Sequence, residues 1–241
     1  MEFSLVNKTI SMTTDIASNA VLSAKILETK LEHEFIHYWC VAHILNIIVT
    51  AGLDTIKVPI KKLRKLIKVI RKSAKMLEEL KNLAKLDHQN FLHPVLDCKT
   101  LWNSTYSMLS WTCILKEKIQ MLAIKNITLN PYLPTSEEWE LFSDLEQFLE
   151  PFNKATLDLS NQSHSTIEHS QVILLAIKID LDVDREQDSL LKDMIKPMKE
   201  KFNNYYEILK GLSHISAFLD PRYKNYCFPN MNDESVLLPI R

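Results

Sequence analysis

The sequence predicts a mainly helical fold with a small β part, and three observations carry that reading. The chain of 241 residues holds only two glycines, Gly52 and Gly211, whereas β-rich folds need many residues that accept positive φ in their turns. From about Pro59 onward, apolar residues recur at intervals of three and four through most of the chain, the period of one helix face. Compact β-branched and aromatic runs stand out near the amino terminus, at 9–14 and 35–40.

The elements follow in order. Residues 9–14, "TISMTT", alternate and are rich in β-branched side chains, which predicts a strand. Asp15 closes that run, and Val21, Leu22, Ile26 and Leu31 then carry a helical pattern opened by Ala17-Ser18-Asn19-Ala20. Residues 35–40, "FIHYWC", predict a second strand, and Ala42 to Val49 continue into a helix with no turn residue between. Pro59, whose ring suits a first helical turn, leads a long amphipathic helix marked by Ile60, Leu63, Ile67, Ile70, Ala74, Leu77, Leu80 and Ala84. Pro94 breaks the pattern, and a helix is predicted over 102–124. Thr135-Ser136-Glu137-Glu138 matches S/T-x-x-E, with Ser136 or Thr135 as the N-cap. Helical spacing then covers 137–160, 166–182, 187–210 and 212–219. Boundaries are expected at 126–134, where Pro131 and Pro134 fall, at 160–165 and at 182–188, and the tail 228–241 is expected to fray.

With 46% hydrophobic and 24% charged residues and a net charge of -1, the composition is that of an ordinary globular chain. The length suits one large domain or two closely packed pieces. The amino-terminal segment lacks a basic stretch followed by an apolar run, and no 18-residue apolar stretch occurs later, so an intracellular chain with no membrane partner is expected. The N-x-S/T matches at Asn7, Asn103, Asn126 and Asn161 are then chance. Cys40, Cys98, Cys113 and Cys227 form no C-x-x-C pair, and free, mostly buried thiols are expected.

Charge is segregated. Between 57 and 85 stand eleven basic residues against Glu78 and Glu79, a net of +9, so the remainder of the chain carries -10. Lys61, Lys65, Lys68 and Lys72 recur at three and four and share one flank of the predicted helix, with Arg71 beside them. Such a row can follow a nucleic-acid backbone, releasing counterions at each neutralised phosphate. It can equally be a solvated face balanced by the acidic remainder.

Other candidates have structural readings beside the chemical ones. Cys40 and His43 place a thiol and an imidazole three residues apart, but a closed zinc site needs four ligands, and packing with a structural hydrogen bond is the simpler role. Asp15, at a strand end before a helix, suits a divalent metal or an ordinary helix cap. Trp39, Trp111 and Trp139 lie in apolar patterns and are expected in the core. His33, His88, His93, His164, His169 and His214 show no i, i+4 pairing and are given no chemistry. Trp102, in "LDCKTLWNSTY", taken alone is a core residue at a helix start.

Taken together, "TTDIASNA" (13–20), "CVAHILNIIVTAGL" (40–53), "KTLWNSTYSML" (99–109), "FLEPFNKATLDLS" (148–160) and "AFLDPRYK" (217–224) resemble, in order and approximate spacing, the hAT superfamily of DNA transposases and their domesticated relatives, including BED zinc-finger proteins. The resemblance implies a ribonuclease-H-like core interrupted by an all-helical insertion. On that scheme 1–43 is a partial core, 44–227 the insertion region and 228–241 a tail. In the family two aspartates and a glutamate bind Mg or Mn for two-metal DNA cleavage. Asp15 matches the second aspartate, Cys40 and His43 the C-x-x-H pair, and Trp102 the tryptophan of the R-W motif, which handles the DNA end; Leu101 stands where that motif has arginine. Only 14 residues precede Asp15, and the chain stops soon after "LDPRYK". The resemblance therefore implies a family member truncated at both ends, catalytically incomplete, with no cofactor of its own and with no BED-type finger. The implied role is a nuclear, DNA-binding remnant using Lys61, Lys65, Lys68, Arg71 and Lys72, with Trp102 near the path. The alternative is an interaction module that forms homo- or hetero-oligomers with transposase relatives through open strand edges.

Overall fold

Strand β1 (Ser11–Thr14) runs parallel to β2 (Ile36–Trp39), with Ser11 opposite Ile36 and Thr14 opposite Trp39. Parallel neighbours need a crossover, which α1 (Ser18–Lys30) supplies. Both strands fall inside the runs that predicted them. The chain is seen here in a computed structural model that describes residues 8–9, 11–31, 33, 35–86, 91–98, 100–160, 167–183 and 189–227. The tail 228–241, Asn7, Asn161, His88 and His164 lie outside the described residues.

The remaining elements are helical: α2 (Val41–Leu53), α3 (Lys57–Lys72), α4 (Ala74–Leu86), α5 (Trp102–Ile114), α6 (Lys116–Lys125), a 3-10 turn over Ile127–Tyr132, α7 (Ser136–Leu159), α8 (Ile167–Asp182), α9 (Ser189–Leu219) and the short α10 (Lys224–Cys227). A mainly α fold with a small β part is what the glycine count and periodicity predict.

Three boundaries depart from the spacing. The long helix expected from Pro59 to Ala84 is broken at Ser73, whose backbone is extended (φ -109°, ψ 107°). The Ser73 hydroxyl accepts the Met76 N–H at 3.3 Å, so the serine caps α4 by the side-chain mechanism that makes serine a preferred N-cap. The helix expected over 102–124 is divided at Leu115, between α5 and α6. Conversely, α9 runs through Gly211 as one 31-residue helix, because a single interior glycine costs about 1 kcal/mol and does not by itself end a helix.

The capping box is present. Glu138 N–H donates to Thr135 Oγ1 (3.2 Å) and Thr135 N–H to Glu138 Oε2 (2.9 Å), which satisfies two otherwise orphaned donors reciprocally and selects Thr135 over Ser136.

The chain divides into two compact units. One takes in the described residues up to Ile48, Lys154–Val183 and those from Met198 on; the other holds Val49–Asn153 and the residues ending at Pro197. The boundaries fall within α2, α7 and α9. In the second unit α3 buries Ile60, Leu63, Leu66, Ile67 and Ile70, all at 2% exposure or less, each contributing about 1.5–3 kcal/mol relative to an exposed side chain. In the first, α1 is lightly anchored: Ala24 is buried while Leu22 and Ile26 are exposed. Among the described residues no single helix is long and apolar enough to cross a membrane.

Candidate nucleic-acid interface

The face of α3 opposite its buried stripe is basic because the sequence alternates apolar and basic residues at helical spacing. Lys61, Lys65, Lys68, Arg71 and Lys72 are all exposed, and among the described residues none has a carboxylate partner. Arg71 and Lys72 also occupy the last turn, where positive charge complements the helix dipole. Lys57 and Lys75 are exposed as well.

The basic residues on the flank of the same helix behave differently. Lys62 Nζ lies 2.6 Å from Glu138 Oε2, the same oxygen that completes the capping box of α7. Arg64 Nε lies 2.8 and 2.7 Å from the two Asp97 oxygens, its Nη2 is 2.5 Å from Oδ2, and Thr105 donates to Oδ2 at 2.9 Å. The Asp97 side chain is 1% exposed. A buried carboxylate must be paired and hydrogen-bonded to be tolerated, and Arg64 with Thr105 meets that need. Asp97 is a residue the sequence reading passed over: 33 positions separate it from Arg64, and no local period relates them.

The segment after Asp97 is held by Ser104, whose hydroxyl accepts the Cys98 N–H at 2.7 Å and lies 2.6 Å from the Leu101 carbonyl. Trp102 then opens α5 with its side chain inward, at 3% exposure, its ring 6.4 Å from that of Tyr106. A base would reach this indole only after the surrounding packing opened. Leu101, which the resemblance sets where the R-W motif has arginine, is 59% exposed.

The strand-end residues lie in the first unit. Asp15 is exposed, and its Oδ1 accepts the Ala17 N–H at 3.1 Å, an Asx-type turn one step ahead of α1. Thr14 spends its single proton on the Asp15 carbonyl (2.8 Å), so the 2.7 Å contact with His37 must be donated by His37 Nε2. In its neutral form His37 therefore keeps Nδ1 as an acceptor. Cys40 donates its N–H to the Thr14 carbonyl (2.8 Å) and accepts the Ile44 N–H (3.1 Å) at the start of α2. Cys40 and His43 are both half-buried, and no hydrogen bond joins thiol to ring. Among the described residues no three His, Cys, Asp or Glu come together to hold a metal ion. Asp15 is one carboxylate already engaged with a backbone N–H, and such a donor set does not fit a two-metal centre.

All four thiols are free, but not mostly buried: Cys98 is exposed and the other three are half-buried. A hydrogen bond from Thr100 holds the Cys98 thiol below its ordinary value, while burial pushes Cys113 up to about 11.

Comparison with known proteins places this geometry. A family model described as the ZBED1 RNase-like helical domain matches residues 38–148, and one described as the hAT-like transposase, RNase-H fold, matches 171–236. The chain is 31% identical to the Putative AC transposase of Zea mays over 199 residues, 79% of this chain and 24% of that protein. The chain belongs to the hAT family. It is also 25% identical over 230 residues to the zinc finger BED domain-containing protein RICESLEEPER 1 of Oryza sativa subsp. japonica, covering 90% of this chain and 31% of the relative. Similarity extends to the human zinc finger BED domain-containing protein 4, at 25% identity over 213 residues, 86% of this chain and 18% of that protein. This hAT chain thus spans between 18% and 31% of the length of these relatives. The helical-domain match takes in α3 with its basic face, and the RNase-H match takes in "AFLDPRYK".

Proposed function

We propose that this hAT-family chain contacts DNA phosphates through the exposed face of α3, using Lys61, Lys65, Lys68, Arg71 and Lys72. One observation carries the reading: these five cations have no carboxylate partner among the described residues, while Lys62 and Arg64 on the flank of the same helix are paired. From Lys61 to Lys72 the row extends about 16 Å along the helix axis. The row consists of lysine and arginine on one helix face, and the contact proposed is with backbone charge, which positions the protein on DNA and carries no sequence information directly. Fluorescence anisotropy against salt tests it. Five phosphate contacts on duplex DNA give a log-log slope of about -4.5; affinity that stays constant from low to physiological salt contradicts the proposal.

On this reading the chain is a binding part that does not cleave DNA by itself, because among the described residues Asp15 stands as one carboxylate with no cluster of metal-ligating side chains around it, where two-metal chemistry needs several. Specific nicking of transposon-end DNA by the pure chain with magnesium or manganese would overturn this. Cys40 and His43 serve to join β2 to α2. A DNA-contacting member of this family works in the nucleus, which imaging of the tagged chain tests. The grouping of Lys154–Val183 and of the residues from Met198 on with the strands, together with the RNase-H match at 171–236, supports a ribonuclease-H-like part wider than residues 1–43, reaching into the 44–227 region that motif order gives to the insertion.

A second reading rests on the sheet, where each described strand pairs only with the other and two-stranded sheets are marginal alone. Homo- or hetero-oligomers with transposase relatives would form by strand addition at these edges. Size exclusion with light scattering separates the readings: a stable dimer that leaves DNA mobility unchanged favours this one.

A further inference from the structure

In the first unit a cavity of about 190 Å³ opens beside the strand end. Its lining comes from Thr13 of β1, the last three residues of β2, the first turns of α2 and α8, the last turn of α7 and the C-terminal half of α9, all within that unit. Drug-sized ligands occupy larger pockets, of about 300–1,000 Å³, whereas about 150 Å³ already admits a benzene ring. The volume therefore suits one ring system somewhat larger than benzene.

The chemistry of the walls narrows the ligand. Trp39 and Tyr38 supply aromatic surface, and Trp39 is backed by Tyr205, with ring centroids 6.1 Å apart at 51°. Leu159, Ile208 and Leu209 supply aliphatic surface. Two of the polar groups are acceptors by elimination. Ser213, 4% exposed, directs its one proton to Gln171 Oε1 (2.7 Å) or the Leu209 carbonyl (2.8 Å), which leaves oxygen lone pairs for a ligand. With the Thr14 proton on the Asp15 carbonyl, the neutral form of the His37 ring donates through Nε2 to Thr14 and has Nδ1 as its acceptor. Thr13, Tyr38, Cys40 and Ser170 also line the cavity and can donate as well as accept; flat apolar walls with donors beside the acceptors of Ser213 and His37 match a planar heterocycle that carries an amino group next to a ring acceptor.

We infer that this cavity is a binding site for an amino-bearing nucleobase, of the adenine or cytosine class, with the ring against Trp39 and the amine donating to Ser213 or His37. The site is built from residues other than the basic face of α3 and does not depend on the phosphate reading. The base can come from a free nucleoside or from an unstacked position in a single strand, and the experiment has an arm for each.

Saturation-transfer NMR on the full chain with adenosine, cytidine and thymidine reads the site directly. Adenosine and cytidine should show transfer to their base protons and thymidine much less. Trp39→Ala should weaken binding about tenfold, the loss of one stacked base. Ile208→Trp, at a position 50% exposed, should fill the mouth and abolish transfer while the melting transition stays that of the parent. In the second arm a single strand containing 2-aminopurine is titrated: a fluorescence change that Ile208→Trp removes assigns the base to a strand, and nucleoside binding without it assigns the free form, both supporting the site. Failure of all three nucleosides to bind the folded chain, undiminished transfer in folded Ile208→Trp, or binding of benzene alone would overturn it.

Discussion

Arg64 on α3 and Asp97 in the segment before α5 form a two-pronged ion pair whose carboxylate is 1% exposed and is further held by Thr105. This pair ties the helix that presents the basic face to the segment that leads into Trp102. Removing one member of a buried pair leaves the other charged and unpaired, which costs about 3–5 kcal/mol. Asp97→Ala should therefore lower the unfolding free energy measured by urea titration by that amount, and Asp97→Ala/Arg64→Met should recover much of it. A double variant that loses the sum of what Asp97→Ala and Arg64→Met lose singly would mean that the pair is not coupled.

The basic face makes a separate prediction. Lys65→Ala/Lys68→Ala removes two exposed, unpaired cations, so stability should stay within about 0.5 kcal/mol of the parent, while the salt slope of DNA binding should fall by about 2. Lys62→Ala, which removes a cation already paired with Glu138, should leave that slope nearly unchanged. Anisotropy titrations at several salt concentrations compare the two variants.

Trp102 is enclosed, so its truncation should act on the fold first. Trp102→Ala is expected to cost about 3–5 kcal/mol, read by chemical denaturation, with DNA affinity per folded molecule retained. A variant that melts like the parent but no longer binds DNA would restore the aromatic-platform role that the R-W resemblance implies.

These results show which parts of the molecule local sequence encodes. The apolar stripe of α3 and the basic row opposite it follow from spacings of three and four, and the Thr135–Glu138 box follows from an S/T-x-x-E match, so both were legible. The break at Ser73 was not, because Ile70 and Ala74 continue the apolar period straight across it, and Met76 stands where a capping box would have a glutamate. Leu115 divides α5 from α6 with neither glycine nor proline to mark it. The Arg64–Asp97 pair and the Trp39 cavity are joined by tertiary packing across tens of residues, which no periodicity reports. The burial of Trp102 matches what its own position suggests, and the DNA-end role that the family motif adds is what the truncation variant tests.

The cysteines should separate by reactivity, since the thiolate is the nucleophile. Cys98 is exposed with its thiol held below the ordinary value by the Thr100 hydrogen bond, and Cys113 is shifted upward by burial. Limiting alkylation at neutral pH followed by peptide mass mapping should find Cys98 modified first and Cys113 far behind. Thr100→Val should slow Cys98 without changing Cys113; faster labelling of Cys113 would contradict the assigned environments.

His214 on α9 gives the fold a pH dependence of definite sign. Burial, and then the nearby Lys210 charge, hold its pKa below the ordinary 6.5, with Glu207 opposing. The unfolded chain therefore binds the His214 proton at higher pH than the folded chain does. The resulting stability is fully present above the unfolded value and is lost as pH falls through the folded one. His214→Leu removes the titration and keeps an apolar side chain in a half-buried position. Between pH about 7.5 and about 5 the parent's melting temperature should fall more steeply than the variant's. Groups that titrate alike in both chains cancel in that comparison, so parallel curves would show that His214 keeps its ordinary value in the folded state.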